Sequence, residues 1–182
     1  TDGKIVFSSQ KTGNMEIWGT ESNGIRQIQL TNNLGEDVRP IVSPNNSSIF
    51  FASNRSGETQ VWRMNSDGSN QIQITKKEGG SPIFVSPDGS RVFYQHGRNR
   101  TLWSVSDKGD DEQLILNEQK FDFAFSPAAT QVAFSEIQDE NRALIIFSLA
   151  DKTISKRFKT PIEKSRIRDI EWMPDGKALV YI

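Results

Sequence analysis

"SPDGSRVFY", residues 86–94, returns three more times in altered form: "SPNNSSIFF" at 43–51, "SPAATQVAF" at 126–134 and "MPDGKALVY" at 173–181. Set in register on Pro44, Pro87, Pro127 and Pro174, the copies lie 43, 40 and 47 residues apart. Thr1-Asp2-Gly3 reads as the tail of a further copy, with Thr1 at the missing proline position. The chain also starts without methionine, so it reads as a processed chain or an excised piece. Self-similarity at a fixed period means that one supersecondary unit is stacked repeatedly, because each unit cannot bury its apolar face alone.

Every copy runs in the same order. A short apolar run precedes the proline: Pro40-Ile41-Val42, Ile83-Phe84-Val85, Phe123-Ala124-Phe125 and Ile170-Glu171-Trp172. A turn follows, its proline fixing φ and its Asp-Gly tolerating left-handed geometry. Where Ala128-Ala129 replaces Asp-Gly, a different turn is expected. The next runs, Lys4–Phe7, Ser48–Phe51, Arg91–Tyr94, Gln131–Phe134 and Ala178–Tyr181, are rich in branched and aromatic residues, as strands buried on both faces are. A polar loop then leads to a third strand bearing Trp18, Trp62 or Trp103, with Ile146 or Phe147 in the fourth copy. These tryptophans recur at equivalent positions, which points to packing between neighbouring units. Hairpin signals close the third strand at Asn23-Gly24, Asp67-Gly68, Lys108-Gly109 and, weakly, Asp151-Lys152. The fourth strand alternates, as in Ile28-Gln29-Leu30-Thr31 and Ile72-Gln73-Ile74-Thr75, which predicts one wet face on an outermost strand.

Four antiparallel strands per forty-odd residues, apolar inside and half-polar outside, predict an all-β fold, a β-propeller of four-stranded blades. The repeat units are about 1–40, 41–82, 83–122, 123–169 and a partial 170–182, within a single domain 1–182 or part of one. The whole phrase, "SPDG", apolar strand, "SNRSG", "QVWRMNSDGSNQIQIT", resembles the TolB-type β-propeller repeat, a distant relative of WD repeats. The likeness is closest at 41–75, good at 1–31 and 82–117, and weaker at 123–160. It implies that about four blades here form an arc of a propeller of six to eight, completed by further sequence or by a second copy. It also implies an extracytoplasmic place, in the periplasm or at the cell surface, as in the sensor parts of larger proteins.

The chain has 182 residues, 22 basic and 23 acidic, for a net charge of -1, so no overall field favours nucleic acid. No apolar run approaches the roughly 20 residues of a membrane helix, so no membrane insertion is expected of this chain. Without cysteine there are no disulfides, thiolate metal sites or cysteine nucleophile. His96 is the single histidine and no G-x-S-x-G occurs, so a serine-hydrolase triad lacks its parts. Zinc lacks ligands, and Asp107-Lys108-Gly109-Asp110-Asp111 lacks the spacing of a calcium loop and reads as a solvated hairpin. No catalytic residue, metal or cofactor is expected. Asn45, Asn46, Asn54 and Asn99 each begin an N-x-S/T triplet, a chance outcome in so polar a chain.

Binding residues tend to lie on loops that a rigid scaffold presents. The loops joining second to third strands share one end with those joining fourth to first. They offer Lys11, Asn54, Arg55, His96, Arg98, Arg100 and Arg142, with Lys76 and Lys77, as a basic rim for an acidic partner. Glu36, Asp37, Glu78 and Glu140 lie in the same loops, and Arg55 in "SNRSG" also suits a structural role. The expected function is a non-catalytic module that binds a protein or small ligand at this face or in the central channel, as the sensing or docking part of a larger protein. The alternative is a segment of the propeller that gates a prolyl-oligopeptidase-like serine peptidase.

Overall fold

The computed structural model describes residues 3–77, 79–117, 121–138, 141–159, 167 and 169–182. Expectations resting on Thr1, Asp2, Glu78 and Glu140, and on the side chain of Arg142, lie outside what is described. Among the described residues there are seventeen strands and no helix. β1 (Ile5–Ser9), β2 (Glu16–Thr20) and β3 (Gln27–Gln29) form a three-stranded sheet. β4 (Asp37–Val42), β5 (Ser48–Ser53), β6 (Gln60–Asn65) and β7 (Ile72–Gln73) form the second sheet. The third holds β8 (Ser81–Val85), β9 (Arg91–Gln95), β10 (Leu102–Ser106) and β11 (Gln113–Leu116). The fourth holds β12 (Phe121–Phe125), β13 (Gln131–Gln138), β14 (Asn141–Ser148) and β15 (Thr153–Lys159), and β16 (Glu171–Trp172) pairs with β17 (Leu179–Val180). Each sheet is a meander, its strands hydrogen-bonded in chain order. The chain divides into two compact units, residues 1–114 and 115–182.

The repeated phrase builds one turn four times. The carbonyls of Ser43, Ser86, Ser126 and Met173 accept the N–H of Asn46, Gly89, Ala129 and Gly176 at 2.9, 2.8, 2.8 and 2.8 Å. Those four residues have φ of 57°, 74°, 52° and 69°. Ala128-Ala129 therefore makes the same turn as Asp-Gly, contrary to the expectation of a different one. The flanking bonds impose it, Ser126 Oγ accepting the Gln131 N–H at 3.0 Å as Ser86 Oγ accepts that of Arg91 at 2.9 Å. In the other copies Asn45, Asp88 and Asp175 add a bond to the N–H two residues on, which Ala128 cannot supply.

The innermost strands β4, β8 and β12 begin earlier than their apolar runs. β4 and β12 each continue upstream through a bulge at Arg39 (φ 55°) and Asp122 (φ 56°), where pairing shifts by a residue. Second strands are buried as expected in β5, where all six residues are buried. β1 departs from this, with Ile5 50% exposed: its sheet packs through Val6 and Leu30 onto Ile49, Phe51 and Met64, and Ile5 points the other way.

Pairing places the tryptophans uniformly, Phe7 opposite Trp18, Phe51 opposite Trp62 and Tyr94 opposite Trp103. In the fourth sheet Phe134 faces Ile145, so Ile145 takes the tryptophan position and neither Ile146 nor Phe147 does. The β13–β14 hairpin sets this register, and a one-residue slip exchanges faces. The fourth strands correct another expectation, since Ile28 and Ile72 are exposed at 50% and 42% while Ile74, Thr31 and Thr75 are buried. Their ladders stop after three and two residues, and threonine hydroxyls replace them. Thr31 Oγ1 accepts the Ile17 N–H at 2.8 Å, and Thr75 Oγ1 that of Val61 at 2.9 Å.

In the first unit the second and third sheets share a core of Phe50, Val61, Ile74, Val85, Val92, Tyr94 and Val105, with Trp103 against it. Trp62 packs on the core that joins the first and second sheets. In the second unit Ala124, Ala133, Leu144, Ile167 and Ile170 form the core, and Trp172 Nε1 donates to the Ala124 carbonyl at 3.0 Å.

Candidate functional site

The loops expected to share one end do so in the first unit. The Glu36 N–H donates to Asn54 Oδ1 at 2.7 Å, and Asn14 Nδ2 donates to the Asn33 and Gly35 carbonyls at 2.9 and 2.6 Å. The Lys76 and Lys77 N–H groups are tied differently, both to Oε2 of Glu112 in the segment before β11, at 3.2 and 3.1 Å. Side chain to backbone bonds of this kind hold irregular loops in place of a ladder.

The rim cations have different environments. Arg55 lies inward: its Nη2 meets Asp37 Oδ2 at 2.6 Å, its Nη1 meets Gln71 Oε1 at 2.5 Å and its Nε meets Ser53 Oγ at 2.9 Å. Its guanidinium also stands 4.6 Å from the Trp62 ring centre. Asp37, read from the sequence as a rim acid, is fully buried and accepts Asn33 Nδ2 at 2.7 Å as well. A Cβ on Gly35 would come within 2.7 Å of the Arg55 nitrogen, so glycine lets the loop close over this clamp. Lys11 repeats the arrangement in lesser form, bonding Gln27 Oε1 at 3.2 Å with its Nζ 5.1 Å from the Trp18 ring centre.

The third sheet presents its residues differently. Asn54, His96 and Arg98 line a cleft of about 280 Å³ with Glu58, Gly79 and Gly80. Arg98 is 85% exposed in its side chain and sits 3.6 Å from Glu58, itself 82% exposed. His96 is half-buried and its Nδ1 accepts the Asn99 N–H at 3.4 Å. Arg100 has φ of 50° and donates its N–H to the His96 carbonyl at 3.0 Å, so its backbone shapes the loop. Of the sequence-expected rim residues, the structure thus brings Asn54, His96 and Arg98 together and places Lys11 and Arg55 over tryptophans instead. Glu58, Gly79 and Gly80 were missed: strand pairing sets Gly80 at the position of Asp37, and the consequence of that difference shows only once Asp37 is seen to hold Arg55.

Among the described residues no three His, Asp or Glu side chains are placed to hold a metal ion. The shifted carboxylates lie in the turns at the opposite end. Asp88 is held down to about 2, first by the Ser86 hydroxyl and then by the backbone and side chain of Ser90. Asp67 is lowered in the same way by Ser69. Both act on turn geometry rather than on a reacting group.

The family model of the TolB beta propeller domain matches residues 1–174. Comparison with curated protein sequences finds no match. Among solved structures, TolB from Acinetobacter baumannii is similar at 20% identity and a TM-score of 0.69, over 90% of this chain and 42% of that one. A putative TolB from Agrobacterium tumefaciens is similar at 18% identity and 0.71, over 99% and 71%. Kuenenia stuttgartiensis hydrazine synthase is similar at 15% identity and 0.71, over 97% and 51%. Identities this low speak for the fold alone, and this chain spans under half of the Acinetobacter protein. With its antiparallel four-stranded sheets and the match over 174 residues, the chain is part of a β-propeller and belongs to the TolB beta propeller domain family.

Proposed function

We propose that this chain is the binding part of a larger protein, a non-catalytic propeller segment that docks a protein partner through its loop-bearing end, outside the cytoplasm. The observation that carries the reading is the cleft where Asn54, His96 and Arg98 converge on loops tied to rigid sheets. A protein partner suits it better than a cofactor, because about 280 Å³ is below the usual range of small-molecule pockets. Asn54 is anchored through its own Oδ1 to the Glu36 N–H, so the loop meets a partner already ordered, which lowers the entropic cost of docking.

Site-specific photo-crosslinking in the native host tests this. A benzophenone side chain in place of Asn99, beside the cleft, is expected to capture a defined protein, whereas one in place of Lys108, exposed in a hairpin turn at the opposite end, captures none. Adducts only from position 108, or equal adducts from both, would remove the loop end as the docking surface.

A further inference from the structure

Three loop positions are equivalent in the repeats, those of Lys11, Arg55 and Arg98, each two residues past the end of a second strand or its continuation. In the second sheet this position is clamped by Asp37, Ser53 and Gln71 and lies over Trp62. In the first sheet Gln27, at the place of Gln71, holds Lys11 over Trp18. In the third sheet all three partners have changed: Gly80 stands for Asp37, His96 for Ser53 and Glu112 for Gln71. Glu112 is committed elsewhere, accepting the Tyr94 hydroxyl at 2.6 Å and the N–H groups of Lys76 and Lys77. Tyr94 in turn stacks on Trp103 at 6.4 Å between ring centres, and Trp103 Nε1 donates to Thr101 Oγ1 at 3.0 Å. The third sheet is therefore stabilised without its loop arginine. Arg98 turns outward and meets Glu58 alone among the described residues, across 3.6 Å of solvent-exposed contact.

We infer that the cleft beside Arg98 receives a carboxylate side chain, Asp or Glu, of the docking partner, an assignment that rests on the docking reading above. The cleft of about 280 Å³ gives it room, and its glycine wall is tightly set: a Cβ at Gly80 would fall 2.2 Å from the Gln95 carbonyl, so the loop passes flush with the strand. An incoming carboxylate replaces Glu58 at Arg98, an exchange with little cost because an exposed ion pair this long contributes almost nothing. A guanidinium recognises a carboxylate through paired, charge-assisted hydrogen bonds, which the isosteric amide cannot reproduce. Glu58 tunes the site by competing for the same cation.

The probe is a capped pentapeptide of glycines with a central glutamate, and its glutamine counterpart is the control. Both are titrated into the labelled chain while the amide signals of Gly79, Gly80 and Gly97 and the Arg98 Nε signal are followed by NMR. The glutamate peptide is expected to shift these signals and the glutamine peptide is not. Arg98→Gln weakens binding about tenfold or more, whereas Glu58→Gln strengthens it by about two- to threefold, and added salt weakens it in the native chain. Equal shifts with both peptides, unchanged affinity in Arg98→Gln, or weaker binding in Glu58→Gln would overturn the assignment. So would sodium acetate binding as tightly as the glutamate peptide, since a peptide would then add nothing. Cross-links at position 99 together with no peptide binding would discard the carboxylate and leave the docking surface standing.

Discussion

Arg55 and Arg98 occupy the same position of two repeats, and their neighbours assign them opposite roles. Removing one partner of a buried ion pair strands the other charge, which costs about 3 to 5 kcal/mol. Arg55→Met and Asp37→Asn are therefore each expected to lower the urea unfolding free energy by about that amount, while Arg98→Met stays within about 0.5 kcal/mol. Equal losses at both arginines would mean that the third sheet uses its arginine structurally. Ala129 holds a left-handed φ of 52° that costs a non-glycine residue about 1 kcal/mol, so Ala129→Gly should raise the unfolding midpoint despite the added chain freedom. Asp88 has a definite pH signature. Its folded pKa of about 2 lies below the ordinary 3.8, so its contribution is fully present above about pH 4 and disappears as pH falls through 2. A carboxyl titration followed by NMR should show that low midpoint, and Ser86→Ala should move it upward, because the Ser86 hydroxyl is its largest cause.

At the scale of strands, the repeat phrase encodes the order of strands and turns but leaves strand starts to bulges and register to the hairpins. Turn residues announced themselves, and Gly24, Gly68, Gly109 and Lys152 all take positive φ where hairpins were expected. The fourth-sheet counterpart of tryptophan was misplaced by one or two residues because "ALIIFS" offers five adjacent apolar residues and only pairing selects Ile145. Outer strands read as regular alternation, yet their ladders give way to the hydroxyls of Thr31 and Thr75, which no periodicity reveals. Trp62 binds strands into sheets and sheets to each other: it pairs opposite Phe51, packs on the core shared by the first two sheets and carries Arg55 on its face. Trp62→Ala should cost about 3 to 5 kcal/mol, read from chemical denaturation. A loss below about 1 kcal/mol would show that the ring covers the core without supporting it.

At the scale of the molecule, apolar surface predicts behaviour in solution. β15 is exposed along its whole length, with Ile154 and Phe158 at 48% and 47% exposure. Phe158 also lines a groove of about 460 Å³ in the second unit with Leu144, Ile146, Trp172 and Leu179. An exposed outer strand bearing apolar residues invites pairing with another chain, even with Lys156, Arg157 and Lys159 along it. Sedimentation of this chain by itself should show concentration-dependent association that Phe158→Glu weakens; a compact monomer at all concentrations would contradict it. The sequence by itself determined the repeat, the all-β class, the turn sites and the loop-bearing end, because these depend on local chemistry: proline and glycine dihedrals, strand alternation and hairpin residues. Tertiary structure alone decided which loop cation is clamped and which is presented. That choice depends on residues about fifteen to twenty positions from the cation on either side, Asp37 or Gly80 and Gln71 or Glu112, which meet it only when strands pair and sheets pack.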